Sequence, residues 1–415
     1  MPLRDINRRE FAALGCTGAV VLATAALAAC AASEPALEPV DPIHDVTSLL
    51  DFNLEDRPQP TPDELLLRRV SETLDNLSLE QKVAQLFIVR PEKLVAASFA
   101  QQFNDYASEA VLARPVGGLI LFDVNLVNAQ QTQRLLSDAF QCGLDANGIP
   151  MFLSVDEEGG EVARIGGSFG FDVANVGSMA SIGATGDPEL ARDVAVEIAS
   201  YLQPLGFNLD FAPVCDIANN PYSSVMSWRA FGDTPDLVAA MVAAQVRGFL
   251  AAGMLCCAKH FPGIGGVLGD SHDGFICSYQ TIEEMQAVEL VPFKAAIDAG
   301  VPCVMVGHLS TPSVTGNDIP ASFCPEIVQG LLRESMGYEG LIITDSLEMG
   351  AISNYYDAAE SSVMALAAGC DIVLLPLDYQ VAFDSVLAAV SDGILSENRI
   401  NQSVFRILRT KLSYL

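Results

Sequence analysis

From residue 61 onward one pattern recurs eight times: a short apolar run with no polar alternation, then an amphipathic stretch of helical spacing. The runs are 86–89 (LFIV), 117–121 (GGLIL), 151–155 (MFLSV), 208–212 (NLDFA), 255–259 (LCCAK), 302–307 (PCVMVG), 340–344 (GLIIT) and 371–375 (DIVLL). Helical patterns fall at 127–141, 187–203, 235–252, 282–299, 324–336, 378–391 and 397–412. A strand apolar at every position is buried on both faces, which implies a parallel sheet covered by helices. Eight such units in series predict an α/β fold of the (β/α)8, TIM-type barrel class, one domain over residues 61–415. The competing arrangement is an open doubly wound sheet, but no GxGxxG follows an early strand to favour it.

A barrel places its reactive groups where strands end and βα loops begin. Asp156 follows the third run, Asp216 the fourth, Lys259 and His260 the fifth, His308 the sixth and Asp345 the seventh. Polar groups scattered along the chain are thereby expected on one rim.

Half of the 415 residues are hydrophobic, enough for a large core. The formal charge of −30 repels phosphate backbones and excludes a nucleic-acid partner. Residues 1–29 read as a targeting segment. Arg8-Arg9 precede a mildly apolar stretch ending Leu27-Ala28-Ala29-Cys30, like a twin-arginine signal joined to a lipobox. Cys30 is then the acylated residue, and the expected location is the outer face of a bacterial cytoplasmic membrane. Residues 30–60, rich in Pro, Glu, Asp and Ala, read as an acidic tether. An uncleaved anchor is the alternative for the apolar stretch. The remaining eight cysteines include no CxxC pair and fall mainly in apolar runs, so they are expected as buried thiols with no pairing deducible. No group with metal-ligand spacing stands at the strand ends, and neither metal nor other cofactor is expected.

Two stretches carry most of the chemistry: KHFPGIGGVLGDSH (259–272) and IITDSLEM (342–349). The first offers a cation, two histidines and an aspartate. The second ends a β-branched run on a lone carboxylate, Asp345. A nucleophilic carboxylate and a proton-transferring group facing one pocket are what cleaving a glycosidic bond requires.

With VDEEGGEVARI (155–165), GFNLDFAPVCDIANNP (206–221), WRAFGDTP (228–235) and ALAAGCDIVLLP (365–376), these stretches resemble the family-3 glycoside hydrolases, in the single-domain, NagZ-like β-N-acetylhexosaminidase branch. The likeness runs from about residue 75 to the C-terminus. It implies a retaining exo-glycosidase acting on terminal β-N-acetylglucosaminides, in peptidoglycan fragments or other glycans, as a monomer. Asp345 matches the family nucleophile. Family-3 β-glucosidases generally take their acid/base from a second domain, and this chain ends soon after its eighth unit, so a barrel loop is expected to supply the group. By resemblance His272 transfers the proton and Asp270 orients it; imidazole titrates near neutrality and a carboxylate stabilises its cation. The same likeness makes Asp156, Arg164, Arg229, Lys259 and His260 the sugar-binding set. For His308 a structural role is at least as well supported as a place in the pocket.

The chain departs from the family at two places. The usual Pro-Gly-His-Gly-Asp-Thr is Pro262-Gly263-Ile264-Gly265-Gly266-Val267 here, and Asp-Gln-Glu-Gly-Gly-Arg becomes Asp156-Glu157-Glu158-Gly159-Gly160-Glu161. The first is expected to alter hydrogen bonding in the His272 loop, the second to put an anion near the rim in place of a cation. The competing functions are a phosphorylase of the same branch and a non-catalytic sugar-binding lipoprotein.

Overall fold

The eight apolar runs are the strands of one parallel barrel. In chain order they are β1 (Phe87–Val89), β2 (Gly118–Ile120), β3 (Phe152–Val155), β4 (Leu209–Asp210), β5 (Leu255–Phe261), β6 (Cys303–Val306), β7 (Leu341–Thr344) and β8 (Val373–Leu374). The computed structural model describes residues 61–95, 100–103, 105–220, 225–267, 269, 271 and 274–415. Each strand pairs with the next, and β8 also lies beside β1. A bridge between Ile343 and Ile372 completes the ring, with the Thr344 amide donating to the Ile372 carbonyl at 3.0 Å. Closure leaves no free edge, so all the strand backbone can be satisfied inside the sheet.

The surrounding helices carry the signals expected of them. Asp187 caps Pro188–Leu205 by accepting from the Glu189 amide, and Gly206 ends that helix at φ 106°. Asn128 caps Ala129–Asn147 in the same way. Their apolar stripes, including Leu135, Leu136, Ile198 and Leu202, are fully buried on the sheet.

Several details differ from the sequence reading. The segment 282–299 is two helices, Ile282–Ala287 and Leu290–Asp298. Pro292 has no amide to give, and its ring crowds the carbonyl four residues back, so the helix breaks at Val288. A helix at Ala358–Ala368 went unforeseen, because its buried face includes Ser361 and Ser362 and shows no apolar stripe. A two-strand ladder, Ile276–Cys277 beside Leu309–Ser310, stands apart from the barrel above β5 and β6.

At the opposite end of the barrel, Asp371 gathers Arg333 at 2.8 Å and Arg406 at 3.1 Å. Lys411 enters the same end fully buried, donating to the Gln85 side chain at 2.8 Å and the Gly117 carbonyl at 2.7 Å. The eight cysteines among the described residues are free thiols. No helix of the described residues is long and apolar enough to cross a membrane. The targeting segment, Cys30 and the tether lie outside the described residues.

Candidate active site

The strand ends deliver their polar side chains into a cavity of about 350 Å³. Asp156, Arg164, Arg229, Lys259, His260 and Asp345 all line it. Lys259 and His260 are consecutive, and in a regular strand they would face opposite sides. The register of β5 against β6 shifts between Ala258 and Phe261, and this irregularity lets both reach the cavity.

Part of the cavity wall is a chain of paired charges. Glu158 accepts from Arg229 twice, at 2.8 Å from Nε and 2.7 Å from Nη2, and its Oε1 lies 2.7 Å from Lys259 Nζ. Lys259 in turn reaches Asp156 at 2.6 Å. Burial pushes the Glu158 carboxyl upward, but Lys259 and Arg229 outweigh it and hold the group far below the usual carboxylate range. The array fixes four charged side chains, two donors and two acceptors, as recognition of sugar hydroxyls requires.

His260 is oriented from behind. Its Nδ1–H donates to Asp216 Oδ2 at 2.7 Å, and the other Asp216 oxygen accepts from the Ile264 amide at 2.7 Å. That bond fixes the tautomer and turns Nε2 toward Arg229 at 3.5 Å.

Asp345 stands half-buried just beyond β7, and its Oδ1 accepts from the Ser346 amide at 2.7 Å. Burial pushes its carboxyl up. His260, His308, the Ser346 amide and Lys259 more than offset this, and the net shift is downward. The group is therefore held ionised beside the paired charges, which is the state a carboxylate nucleophile needs. His308 does not line the cavity: it is buried, receives the Ser322 hydroxyl at Nδ1 and donates from Nε2 to the Ser346 carbonyl at 2.9 Å. It thereby holds the backbone next to Asp345.

Of the two departures in sequence, the second acts through Glu157 rather than Glu161. Glu161 is exposed and takes no part in the cavity wall. Glu157 is buried and accepts the Arg164, Ile165 and Gly166 amides at 2.6, 3.0 and 2.7 Å, with the Tyr201 hydroxyl at 2.9 Å. It pins the loop that presents Arg164. In the first departure, Ile264 packs against Val267, Ile276 and Leu309 in a small apolar cluster separate from the main core. The side chain at this position therefore makes apolar contacts where the usual motif has a histidine. Gly265 leaves no alternative, since a Cβ there would sit 2.0 Å from the Ile217 carbonyl oxygen.

Asp270 and His272 lie outside the described residues. Ser271, between them in sequence, is buried and lines a second, smaller cavity together with Asp345, Arg229 and His260. Its carbonyl accepts from the Ala351 amide at 3.0 Å, tying the segment after β5 to the segment after β7.

The sequence reading missed Glu158 and the outer wall formed by Arg90, Phe122 and Glu348. Arg90 pairs with Glu348, whose other oxygen is 2.9 Å from Lys93, and both Arg90 and Arg164 lie over the Phe122 ring. The signal for Glu158 was present: two cations bound for a buried rim require a buried anion. Among the described residues no three His, Cys, Asp or Glu side chains converge in a metal-holding group.

Residues 78–410 match the glycosyl hydrolase family 3 N-terminal domain. A β-hexosaminidase A of Pseudoalteromonas piscicida is 33% identical over 334 residues, covering 74% of this chain and 55% of that protein. The β-hexosaminidase LpqI of Mycobacterium tuberculosis is 32% identical over 345 residues, covering 81% of this chain and 83% of that one. Among solved structures, a family 3 β-N-acetylglucosaminidase from Paenibacillus sp. str. FPU-7 superimposes with a TM-score of 0.75 at 37% identity, over 81% of this chain and 63% of that one. The chain thus spans little more than half of the first of these relatives and under two thirds of the solved structure.

Proposed function

This chain belongs to glycosyl hydrolase family 3, and on that premise we propose that it is a retaining, exo-acting β-N-acetylhexosaminidase. The observation that carries the reading is Asp345: a carboxylate with its pKa lowered, at the wall of a cavity lined by the Asp156–Lys259–Glu158–Arg229 array. The β-hexosaminidase names of the relatives and the β-N-acetylglucosaminidase name of the solved structure support an N-acetylhexosamine as the sugar.

In the first step an Asp345 oxygen attacks the anomeric carbon while the bond to the leaving oxygen breaks. Protonated His272 donates to that oxygen, and a glycosyl ester on Asp345 forms. In the second step His272 takes a proton from water, the water oxygen bonds to the anomeric carbon and the ester bond breaks. Two inversions give retention. Asp270 orients the imidazole and stabilises its cation. The place of Ser271 in the same small cavity as Asp345 supports this assignment. Sugar hydroxyls bind Asp156, Arg164, Arg229, Lys259 and His260. The substrates are peptidoglycan fragments or other glycans, and the enzyme is an exported monomer held to the membrane by lipid on Cys30.

Hydrolysis of a chromogenic N-acetyl-β-glucosaminide beside the matching β-glucoside tests the reading. Release from the first, with His272→Ala losing most turnover but keeping ligand affinity, supports it. Release from neither with intact sugar binding makes the protein a receptor, and turnover that requires phosphate makes it a phosphorylase. Loss of labelled palmitate on Cys30→Ala tests the anchor.

A further inference from the structure

Five aromatic side chains are exposed among the described residues: Phe169, Phe275, Tyr279, Tyr355 and Tyr414. Only Tyr414 lies away from the catalytic face. Phe169 follows β3, Phe275 and Tyr279 follow β5, and Tyr355 follows β7, so all four stand on loops at the end of the barrel where Asp345 sits. Single exposed rings are ordinary, but exposed rings that touch one another make a contiguous surface of the kind that binds a ligand.

Two of these rings act as a unit. Phe275 and Tyr355 meet edge to face, with centroids 6.5 Å apart and planes at 73°, yet remain 42% and 62% exposed. They come from the two segments that the Ser271–Ala351 hydrogen bond joins. Ile276, the neighbour of Phe275, lines the small cavity with Asp345, and Met349, six residues before Tyr355, lines both cavities. The pair itself lines neither cavity, but it stands on the two loop segments that supply Ile276 and Met349 to the small cavity shared with Asp345. An edge-to-face pair leaves ring faces open, and a flat apolar face is what the C–H side of a β-linked pyranose ring covers.

Resting on the hydrolase reading above, we propose that Phe275 and Tyr355 form the subsite for the first sugar of the leaving group. The substrate class is then a β-linked oligosaccharide of N-acetylglucosamine, whose second ring stacks on this pair. Both are specificity residues and take no part in bond breaking.

The test compares two substrates of the same full-length protein: N-acetyl-β-glucosaminyl fluoride, whose leaving group is one atom, and the β-1,4-linked N-acetylglucosamine trisaccharide. Phe275→Ala and Tyr355→Ala each lower kcat/KM for the trisaccharide about tenfold, the scale of re-exposing some tens of square ångströms of apolar surface. The fluoride is turned over unchanged, and Tyr355→Phe retains the trisaccharide activity. Equal losses on both substrates mean that the rings only support the loops, and this overturns the proposal, as does an unchanged trisaccharide value. If the wild-type protein cleaves neither compound, the hydrolase reading fails instead. The platform is then judged by trisaccharide affinity, and an unchanged Kd in the double variant overturns it.

Discussion

Replacing Glu158 by Gln removes the anion on which two buried cations converge. In the wild-type site Arg229 donates to Glu158 at 2.8 and 2.7 Å and Lys259 lies 2.7 Å away, while Arg229 is 8% and Lys259 only 2% exposed. After substitution Lys259 keeps Asp156 at 2.6 Å, while outside the new Gln amide Arg229 has the His260 contact at 3.5 Å. The Gln amide can accept from one cation, and its NH2 must then face the other. Breaking a buried pair in this way costs roughly 3–5 kcal/mol, a large share of a typical stability of about 5–15 kcal/mol. Equilibrium urea unfolding reads the loss as a lower midpoint at unchanged slope. Because the folded Glu158 pKa is depressed, its contribution is present above the unfolded value of about 4.3 and disappears only as pH falls through the lower folded value. The gap between wild type and variant should therefore stay constant from about pH 5 to 8 and close only in strong acid. A loss below about 1 kcal/mol, or a gap that closes near neutrality, refutes the account of Glu158 as the shared counter-ion.

Asp345→Ala should lose turnover by about three orders of magnitude or more, and added azide should restore it with an α-glycosyl azide as product; no azide product would exclude Asp345 as the nucleophile. With the Asp345 pKa lowered from its ordinary value, the acid limb of kcat/KM should lie at or below the usual carboxylate range; a limb near neutrality would count against Asp345 as the attacking group. Gly265→Ala should destabilise the protein by roughly 3 kcal/mol or more, because its Cβ meets backbone at Ile217, whereas Gly274→Ala, with open space around it, should be neutral in the same thermal melt.

Much of the architecture was legible along the chain because it depends on local pattern. Unbroken apolar runs such as LIIT at 341–344 can only be strands covered on both faces, and their number predicted the barrel. The same order put Asp345, Lys259 and Asp156 at strand ends, hence on one rim. Where helix prediction failed, at Val288 and at 358–368, the cause was a proline clash and a buried face of serines, neither visible as periodicity.

Sequence alone therefore determined which residue types stand at the rim, because alternation of strand and helix is written within each thirty or so residues. Only the closed tertiary structure decided their partners. Glu158 meets Arg229 across 71 positions, Lys259 meets Asp156 across 103 and Asp216 turns His260 across 44. It also took His308 out of the pocket and gave Glu157 the task of pinning a loop. Such pairings depend on distances set by closure of the sheet and on the cost of leaving a buried charge alone, and neither quantity has a local signature.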